Sequence, residues 1–435
     1  MKLTIIGGGG VRVPLLVNGL VQSDLPIDDI ALFDTDRERL AAIAPLAGRF
    51  AGRARLRIEP TVEAAVEGAD FVFASIRVGG IERRARDEQI SLAHGVVGQE
   101  TVGPAGFAMA MRTIPPMVAY AREIARRAPN AWIINFTNPV GIVTQAVTSA
   151  TGARIIGICD TPMDLFEEIA HALGVPSADC RFDYFGLNHL GYVREVYLNG
   201  RPMLDRLWSQ PEQLARLYRA PFFDVAWLQS LRLLPTEYVY YYARAADAIA
   251  NVTRAGQGRG AVIEQLNRQL FADLKNGAHD PVQVYEQYLA ARDAGYMQIE
   301  SGAPAPLKRS PQGAMSGLTG YDKIALQTVR AIHFNTGATI PLNIVNRGTI
   351  AGLEDNDVVE VPCVVGAHGA LAAMPAGPMP DAVADLVVQV KDYERRTVRA
   401  ALTGDRALAV DALARNPLVP TRELASRLVD ALCIP

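Results

Sequence analysis

Four segments of this 435-residue chain carry side chains that could do chemistry. The first runs from Ser75-Ile76-Arg77-Val78-Gly79-Gly80 through Arg83-Arg84-Ala85-Arg86-Asp87-Glu88-Gln89 to Gly98-Gln99-Glu100-Thr101. The second is Asn135-Phe136-Thr137-Asn138-Pro139, the third Gly157-Ile158-Cys159-Asp160-Thr161-Pro162, and the fourth Gly186-Leu187-Asn188-His189. In the third, Thr161 before Pro162 reads as a helix start with Thr161 as N-cap. Cys159 and Asp160 then sit at the positive end of a helix, which favours a thiolate. A thiolate and the imidazole of His189 are suitably soft ligands for a metal ion. A small buried cysteine and a hydrogen-bonded core histidine fit the same two residues. The remaining histidines (His94, His171, His279, His333 and His368) show no metal-ligand spacing, and zinc-protease, P-loop and nucleophile-elbow motifs are absent.

A second kind of chemistry opens the chain. Leu3-Thr4-Ile5-Ile6 is an apolar run ending in Gly7-Gly8-Gly9-Gly10, and Pro14 starts a helical pattern behind it. A helix N-terminus offers free N–H groups and partial positive charge to a pyrophosphate, and glycines allow close approach, so Gly7, Gly9 and Gly10 are candidate cofactor contacts. Gly7 and Gly9 fill the first two positions of G-x-G-x-x-G, but the third falls on Arg12. Asp34 ends the next strand at about the distance where an acid accepts ribose hydroxyls, which favours NAD over NADP. The alternative is a structural glycine turn with Asp34 as a helix cap.

The elements that must position these residues alternate. Strands are expected at 3–6, 30–33, 71–76, 132–136 and 155–158, with a helix at 63–68 among the intervening helical segments, as in a parallel sheet covered on both faces. Three of the four segments lie just past a strand's C-terminal end, where open α/β sheets bind ligands. After about residue 180 the pattern changes. Residues 192–197 alternate like a strand with an exposed face, and 212–293 reads as a long helical region. Residues 301–318 are rich in Gly, Pro and Ser and read as a mobile loop. Residues 339–346 and 358–365 read as strands of a second α+β domain, and the last 50 or so residues as helices with Tyr393, Val398 and Leu402 on one stripe. The expected fold is α/β: a Rossmann-like, doubly wound N-terminal sheet over 1–160 and a C-terminal α+β catalytic and oligomerisation domain over 161–435.

Composition excludes several classes. At 49% hydrophobic and 20% charged residues the chain is globular rather than disordered. Lys+Arg 43 against Asp+Glu 46 gives a net charge of −3, so no basic surface points to nucleic acid or anionic lipid, although a pocket for one small anion is compatible. Four cysteines fit a reducing compartment, no apolar run reaches the ~18 residues of a membrane span, and the N-terminal apolar stretch is too short for a signal peptide. A cytoplasmic protein is expected.

Taken in order, the N-terminal glycine strand, "IRVGG", "DEQISLAHGVVGQETVGPAGF", "NFTNPVG", "GICDTP", "FGLNHLG", "NIVNRGTI" and "VVEVPCVVG" resemble glycoside hydrolase family 4, whose NAD-dependent members depart from two-carboxylate hydrolysis. The resemblance implies NAD and a divalent metal, usually Mn²⁺, held by Cys159 and His189. It implies that Glu100, Asn138 and Asn188 contact sugar hydroxyls or the metal region. Its base is a tyrosine in Pro235-Thr236-Glu237-Tyr238-Val239-Tyr240-Tyr241-Tyr242, which register places at Tyr238 with Tyr241 as second choice. It puts Arg84 and Arg259 on a sugar 6-phosphate, with Arg254 as the alternative to Arg259, and leaves Arg83 and Arg86 to a solvated face. Asp160 would be the general acid.

The resemblance thus implies a 6-phospho-glucosidase working by oxidation, elimination, addition and reduction on a small phosphorylated glycoside, in a homo-oligomer. The helix tail after Arg259 and Ala294-Gly295-Tyr296 are similar to the 6-phospho-β-glucosidase branch, whereas Asp160 is shared with the α-specific branch. Other readings are a family 4 glycosidase acting on an α-galactoside or uronide, a NAD-dependent 2-hydroxy-acid dehydrogenase, and an NAD-binding sensor.

Overall fold

The computed structural model describes residues 1–218, 220–303 and 320–432. Six parallel strands form the N-terminal half: β1 (Lys2–Ile6), β2 (Asp29–Phe33), β3 (Arg55–Ile58), β4 (Phe71–Ala74), β5 (Trp132–Asn135) and β6 (Arg154–Gly157). β1 pairs with both β2 and β4, so the chain leaves β1 in one direction and returns to build β4, β5 and β6 on its other side. That reversal leaves a crevice beyond the ends of β1 and β4, the place where such sheets bind ligands. All four residues of β4 are buried although successive side chains face opposite ways, so both faces of the sheet are covered. The doubly wound expectation is met.

The C-terminal strands differ from expectation. A four-stranded sheet is formed by β7 (Cys180–Leu187), β8 (Leu190–Leu198), β9 (Arg201–Pro202) and β10 (Leu234–Pro235). The strands expected to belong to a second domain, β11 (Ala338–Val345) and β12 (Val358–Gly366), instead extend the N-terminal sheet together with β13 (Gly369–Ala372). β11 runs antiparallel to β6, meeting it at Asn343 and Gly157. Glycine is required there: a Cβ on Gly157 would lie 2.5 Å from Thr144 Oγ1 and 2.9 Å from Asn343 Cβ.

Other local expectations are corrected. The 212–293 region is not continuously helical: β10 crosses it, and Ala245–Ala255, Arg259–Asn276 and Pro281–Ala294 are separate helices, the first two divided by Gly256 and Gly258. Tyr192 and Val193 are both buried, so that part of β8 has no exposed face. Tyr393 and Val398 are buried in the Asp381–Thr403 helix, but Leu402 is exposed. Of the expected loop at 301–318, residues 304–318 lie outside the described residues.

The Gly157 contact predicts its own perturbation. Gly157→Ala should lower unfolding free energy by about 1–3 kcal/mol, the usual cost of overpacking a core. Equal denaturation midpoints for the variant and the parent would contradict the tight joint between β6 and β11.

Candidate active site

The glycine turn and the ends of β4, β5 and β6 open into one cavity of about 1540 Å³. Gly7, Gly9, Gly10, Asp34, Arg84, Glu100, Asn138, Asp160, Tyr238 and Arg259 all line it. The turn after β1 depends on Gly7: its φ is +92°, and a Cβ would stand 2.2 Å from Ser75 O. Asp34 accepts from Gly9 N at 2.8 Å and Asp36 N at 2.9 Å, so it braces the turn while facing the cavity. Pro14 sits in the first turn of the helix Val13–Val21 that follows.

Cys159 follows β6, and His189 is carried by the two-residue turn between β7 and β8. Both are buried, with Sγ and Nε2 3.5 Å apart. His189 has a φ of 64°, uncommon outside glycine, and its ring lies flat against Tyr238 with centroids 3.7 Å apart. Its Nδ1 is 2.7 Å from Thr101 Oγ1. Burial pulls its pKa down to about 4, so the ring is neutral at pH 7.

The Cys159 expectation changes in two respects. Asp160, not Thr161, is the N-cap of the helix Thr161–Leu173, with no side-chain capping bond. Burial, then the carboxylates of Glu360 and Asp160, push the thiol pKa well up, outweighing the helix terminus. The thiolate therefore needs a cation to form. The donor set fits one: a thiolate and an imidazole on a tetrahedral ion stand about 3.6 Å apart for ordinary S and N bond lengths. Among the described residues no group of three His, Cys, Asp or Glu side chains forms a cage, so a cation here would keep positions open.

A charged wall faces this pair. Arg77 Nη1 meets Glu100 Oε2 at 2.6 Å, Arg84 Nη1 meets Glu100 Oε1 at 2.9 Å, and Arg84 Nε donates to Glu88 Oε1 at 2.7 Å. Burial would raise the Glu100 pKa, but Arg77 and Arg84 prevail and hold it near about 2. Glu88 Oε2 accepts from Gly260 N at 2.6 Å, tying Arg84 to the start of the Arg259–Asn276 helix. Arg259 has a buried Nη1 without a hydrogen-bond partner, and a Cβ on Gly295 would lie 2.5 Å from that atom. Burial, then Arg292 and Arg84, lower the Arg259 pKa, which marks crowded positive charge that an anion would relieve.

Asn138 Oδ1 is likewise buried without a partner. Asp160 faces the cavity beside Gly320, where a Cβ would lie 2.4 Å from Oδ2. Tyr238 and Tyr241 both line the cavity, and Tyr296 hydroxyl bonds Glu237 and stands 3.4 Å from Tyr238 hydroxyl.

Not every predicted residue lies on the cavity. Cys159 and His189 are outside its lining, one layer behind Asp160 and Tyr238, which do line it. Asn188 is outside it too and donates from Nδ2 to Glu360 Oε1 at 3.1 Å. Arg254 is exposed and bonds Asn251, which separates it from Arg259. Arg86 is exposed as expected, but Arg83 is not simply solvated: it donates to Asp87 at 3.0 Å and to the carbonyl of Leu432. Sequence reading did not single out Glu88, Glu237, Glu300 or Glu360. Glu360 interrupts the apolar run of β12, which was an available signal. It accepts from Tyr184 at 2.6 Å, Asn188 at 3.1 Å and Asn343 at 2.8 Å, and burial still pushes it up to about 7. Burial also raises Glu300, which lines the cavity, to about 7.

The arrangement can bind a dinucleotide at the glycine turn, a cation at the Cys–His pair and an anion at Arg259, all around one polar ligand. A family described as "Family 4 glycosyl hydrolase" matches residues 2–175, and its C-terminal domain matches residues 184–419. The chain is 30% identical to a "Probable 6-phospho-beta-glucosidase" of Bacillus subtilis (strain 168), over 99% of this chain and 95% of that protein. It is similar to the 6-phospho-beta glucosidase from Thermotoga maritima solved with manganese, NAD+ and glucose-6-phosphate, at TM-score 0.81 and 28% identity, over 99% of this chain and 97% of that one. A 6-phospho-alpha-glucosidase from gut microorganisms, solved with NAD and Mn2+, aligns at TM-score 0.80 and 26% identity with the same coverage.

The clamp formed by Glu88 has a measurable consequence. Glu88→Ala leaves the buried Arg84 Nε and Gly260 N–H without their acceptor, although Glu100 still meets Arg84 Nη1, and should cost about 3 kcal/mol of unfolding free energy. The exposed control Glu212→Ala should stay within about 0.5 kcal/mol of the parent. Equal losses in the two variants, measured by chemical denaturation, would contradict the clamp.

Proposed function

This chain belongs to family 4 of the glycosyl hydrolases, and from that premise we propose that it hydrolyses 6-phospho-glucosides, the β-linked ones first, using NAD and a divalent cation, manganese. The observation that carries the reading is the Cys159–His189 pair, 3.5 Å apart and buried directly behind Asp160 and Tyr238, which line the same cavity as the glycine turn and the crowded arginine wall. An α-linked substrate is the second reading, favoured by the similarity to a 6-phospho-alpha-glucosidase over nearly the whole chain.

In this reading Gly7, Gly9, Gly10 and Asp34 receive the dinucleotide, and Cys159 and His189 hold the cation. When bound, NAD⁺ takes hydride from sugar carbon 3 and later returns it, while the cation polarises the oxygen on that carbon. The carbon 2 proton, now beside a ketone, goes to Tyr238. Burial and then Glu237 push the Tyr238 pKa well up, so a cation held by the neighbouring His189 and Cys159 is what would make this phenol a base. Asp160 protonates the departing oxygen. Water then gives its hydroxyl to carbon 1 and its remaining proton back to Asp160, while Tyr238, its proton exchanged with solvent, protonates carbon 2. Arg84 and Arg259 hold the 6-phosphate, supported by the unpartnered Nη1 of Arg259, and the free Oδ1 of Asn138 and the carboxylate of Glu100 meet the polar edge of the ligand.

No helix among the described residues is long and apolar enough to cross a membrane. We assign the activity to a cytoplasmic homo-oligomer. Exposed Val364 and Leu371, paired side by side on β12 and β13, support self-association.

One reaction tests the proposal. The nitrophenyl β-glucoside 6-phosphate should be cleaved in D₂O only when NAD⁺ and Mn²⁺ are both supplied, and the glucose 6-phosphate formed should carry deuterium at carbon 2. The unphosphorylated glucoside should react far more slowly. Product without the label, or equal rates on the two glucosides, would overturn the corresponding part of the reading.

A further inference from the structure

Gln99 and Thr101 sit behind His189, on the side away from Cys159. Gln99 Oε1 accepts from Thr101 N at 2.6 Å and from Val102 N at 2.8 Å. Two backbone N–H groups on one atom fix it as the amide oxygen, because the amide nitrogen would present donor to donor there. The same oxygen is 2.8 Å from Thr101 Oγ1, a separation at which two oxygens need a proton between them. Thr101 has one hydroxyl proton, and the carbonyl oxygen of Gln99 has none to give, so the proton lies toward Gln99. Thr101 Oγ1 is then only an acceptor toward His189, 2.7 Å away, and Nδ1 must carry the ring proton. That leaves Nε2 as a lone pair, facing Cys159 Sγ at 3.5 Å.

Cys159 Sγ, beside Nε2, also has Thr161 Oγ1 at 3.4 Å and can meet the ring as donor or acceptor, so it does not choose the tautomer. The parallel face of Tyr238 fixes the plane, and the left-handed backbone at His189 fixes the stem. Neither distinguishes one ring nitrogen from the other. The helix Gly103–Arg127 begins directly after this segment, so Gln99, Thr101 and Val102 are anchored to a 25-residue element.

We infer that Thr101, oriented by Gln99, is a positioning residue that locks His189 as the Nδ1–H tautomer and so keeps Nε2 free for a cation shared with Cys159. The cation part rests on the proposed family 4 activity; the tautomer part does not, because it is read in the metal-free protein. Without the hydroxyl, Nδ1–H loses its acceptor inside the core, and the ring gains by moving the proton to Nε2, where it can face the cysteine sulfur. Outer partners of metal-binding histidines act through orientation and tautomer, and losing one typically costs 10–100-fold in metal affinity.

The test uses the full chain labelled with ¹⁵N,¹³C-histidine, stripped of metal, with the His189 signals assigned by their disappearance in His189→Gln. The parent should show a protonated Nδ1 and an unprotonated Nε2. Thr101→Val, which keeps the shape and removes the hydroxyl, should shift population toward protonated Nε2 and weaken Mn²⁺ binding about 10–100-fold by titration. Thr101→Ser should restore both the tautomer and the affinity, which repair of packing alone would not achieve. A parent already protonated at Nε2, or a Thr101→Val variant with parental tautomer and affinity, would overturn the inference. A parent with the Nδ1–H tautomer that takes up no Mn²⁺ would uphold the positioning claim and overturn the cation reading instead.

Discussion

A buried thiol and a buried imidazole can meet only if two different sheets are held in fixed register, and one acid does that holding. Cys159 leaves the end of β6 in the nine-stranded sheet, and His189 rides the turn of the four-stranded sheet. Between them Glu360, on β12, accepts from Tyr184 on β7, Asn188 in the β7–β8 turn and Asn343 on β11. The bonds from Tyr184 and Asn188 cross from one sheet to the other, and the bond from Asn343 stays within the nine-stranded sheet. A buried acid is costly unless its acceptors are satisfied, and here each oxygen has at least one donor. The same acid helps keep the Cys159 thiol protonated until positive charge arrives, so the fold that builds the site also favours its filling by a cation.

Charge is distributed across the cavity with similar economy. Glu100 and Glu88 spread over Arg77, Arg84 and the start of the Arg259–Asn276 helix, giving each of those groups a partner. Arg259 is left with one nitrogen unmet, in a space that exists because residue 295 is glycine. The pairs organise the wall, and the unmet guanidinium marks where an anionic group would gain most. On the opposite side the glycine turn is held by Asp34, so one carboxylate both shapes the backbone and borders the cavity.

The sequence was most legible where the signals were local. A short apolar run into glycines, Asp34 at the end of the next strand, and Pro162 in the first turn of a helix follow from spacing alone, and the ordered motifs added Cys159, His189, Tyr238 and the two arginines. Three matters were illegible for a physical reason: they depend on contacts between distant segments. The pairing of β11 with β6 joins residues far apart in the chain, and an alternating strand pattern does not say which sheet it joins. The order of the thiol pKa effects could not be foreseen, because a helix terminus is visible in sequence and burial is not. Gln99 and Thr101 look like an ordinary polar turn until His189 is brought against them.

The proposed chemistry requires one cation shared by Cys159 and His189, next to the cavity that the glycine turn lines. Anomalous diffraction at the manganese edge, from crystals soaked with Mn²⁺ and NAD⁺, tests it most directly. One strong peak is expected about 2.0–2.6 Å from both Cys159 Sγ and His189 Nε2, with the nicotinamide lying in the adjoining space. A peak elsewhere, with these two atoms left in mutual contact, would contradict it.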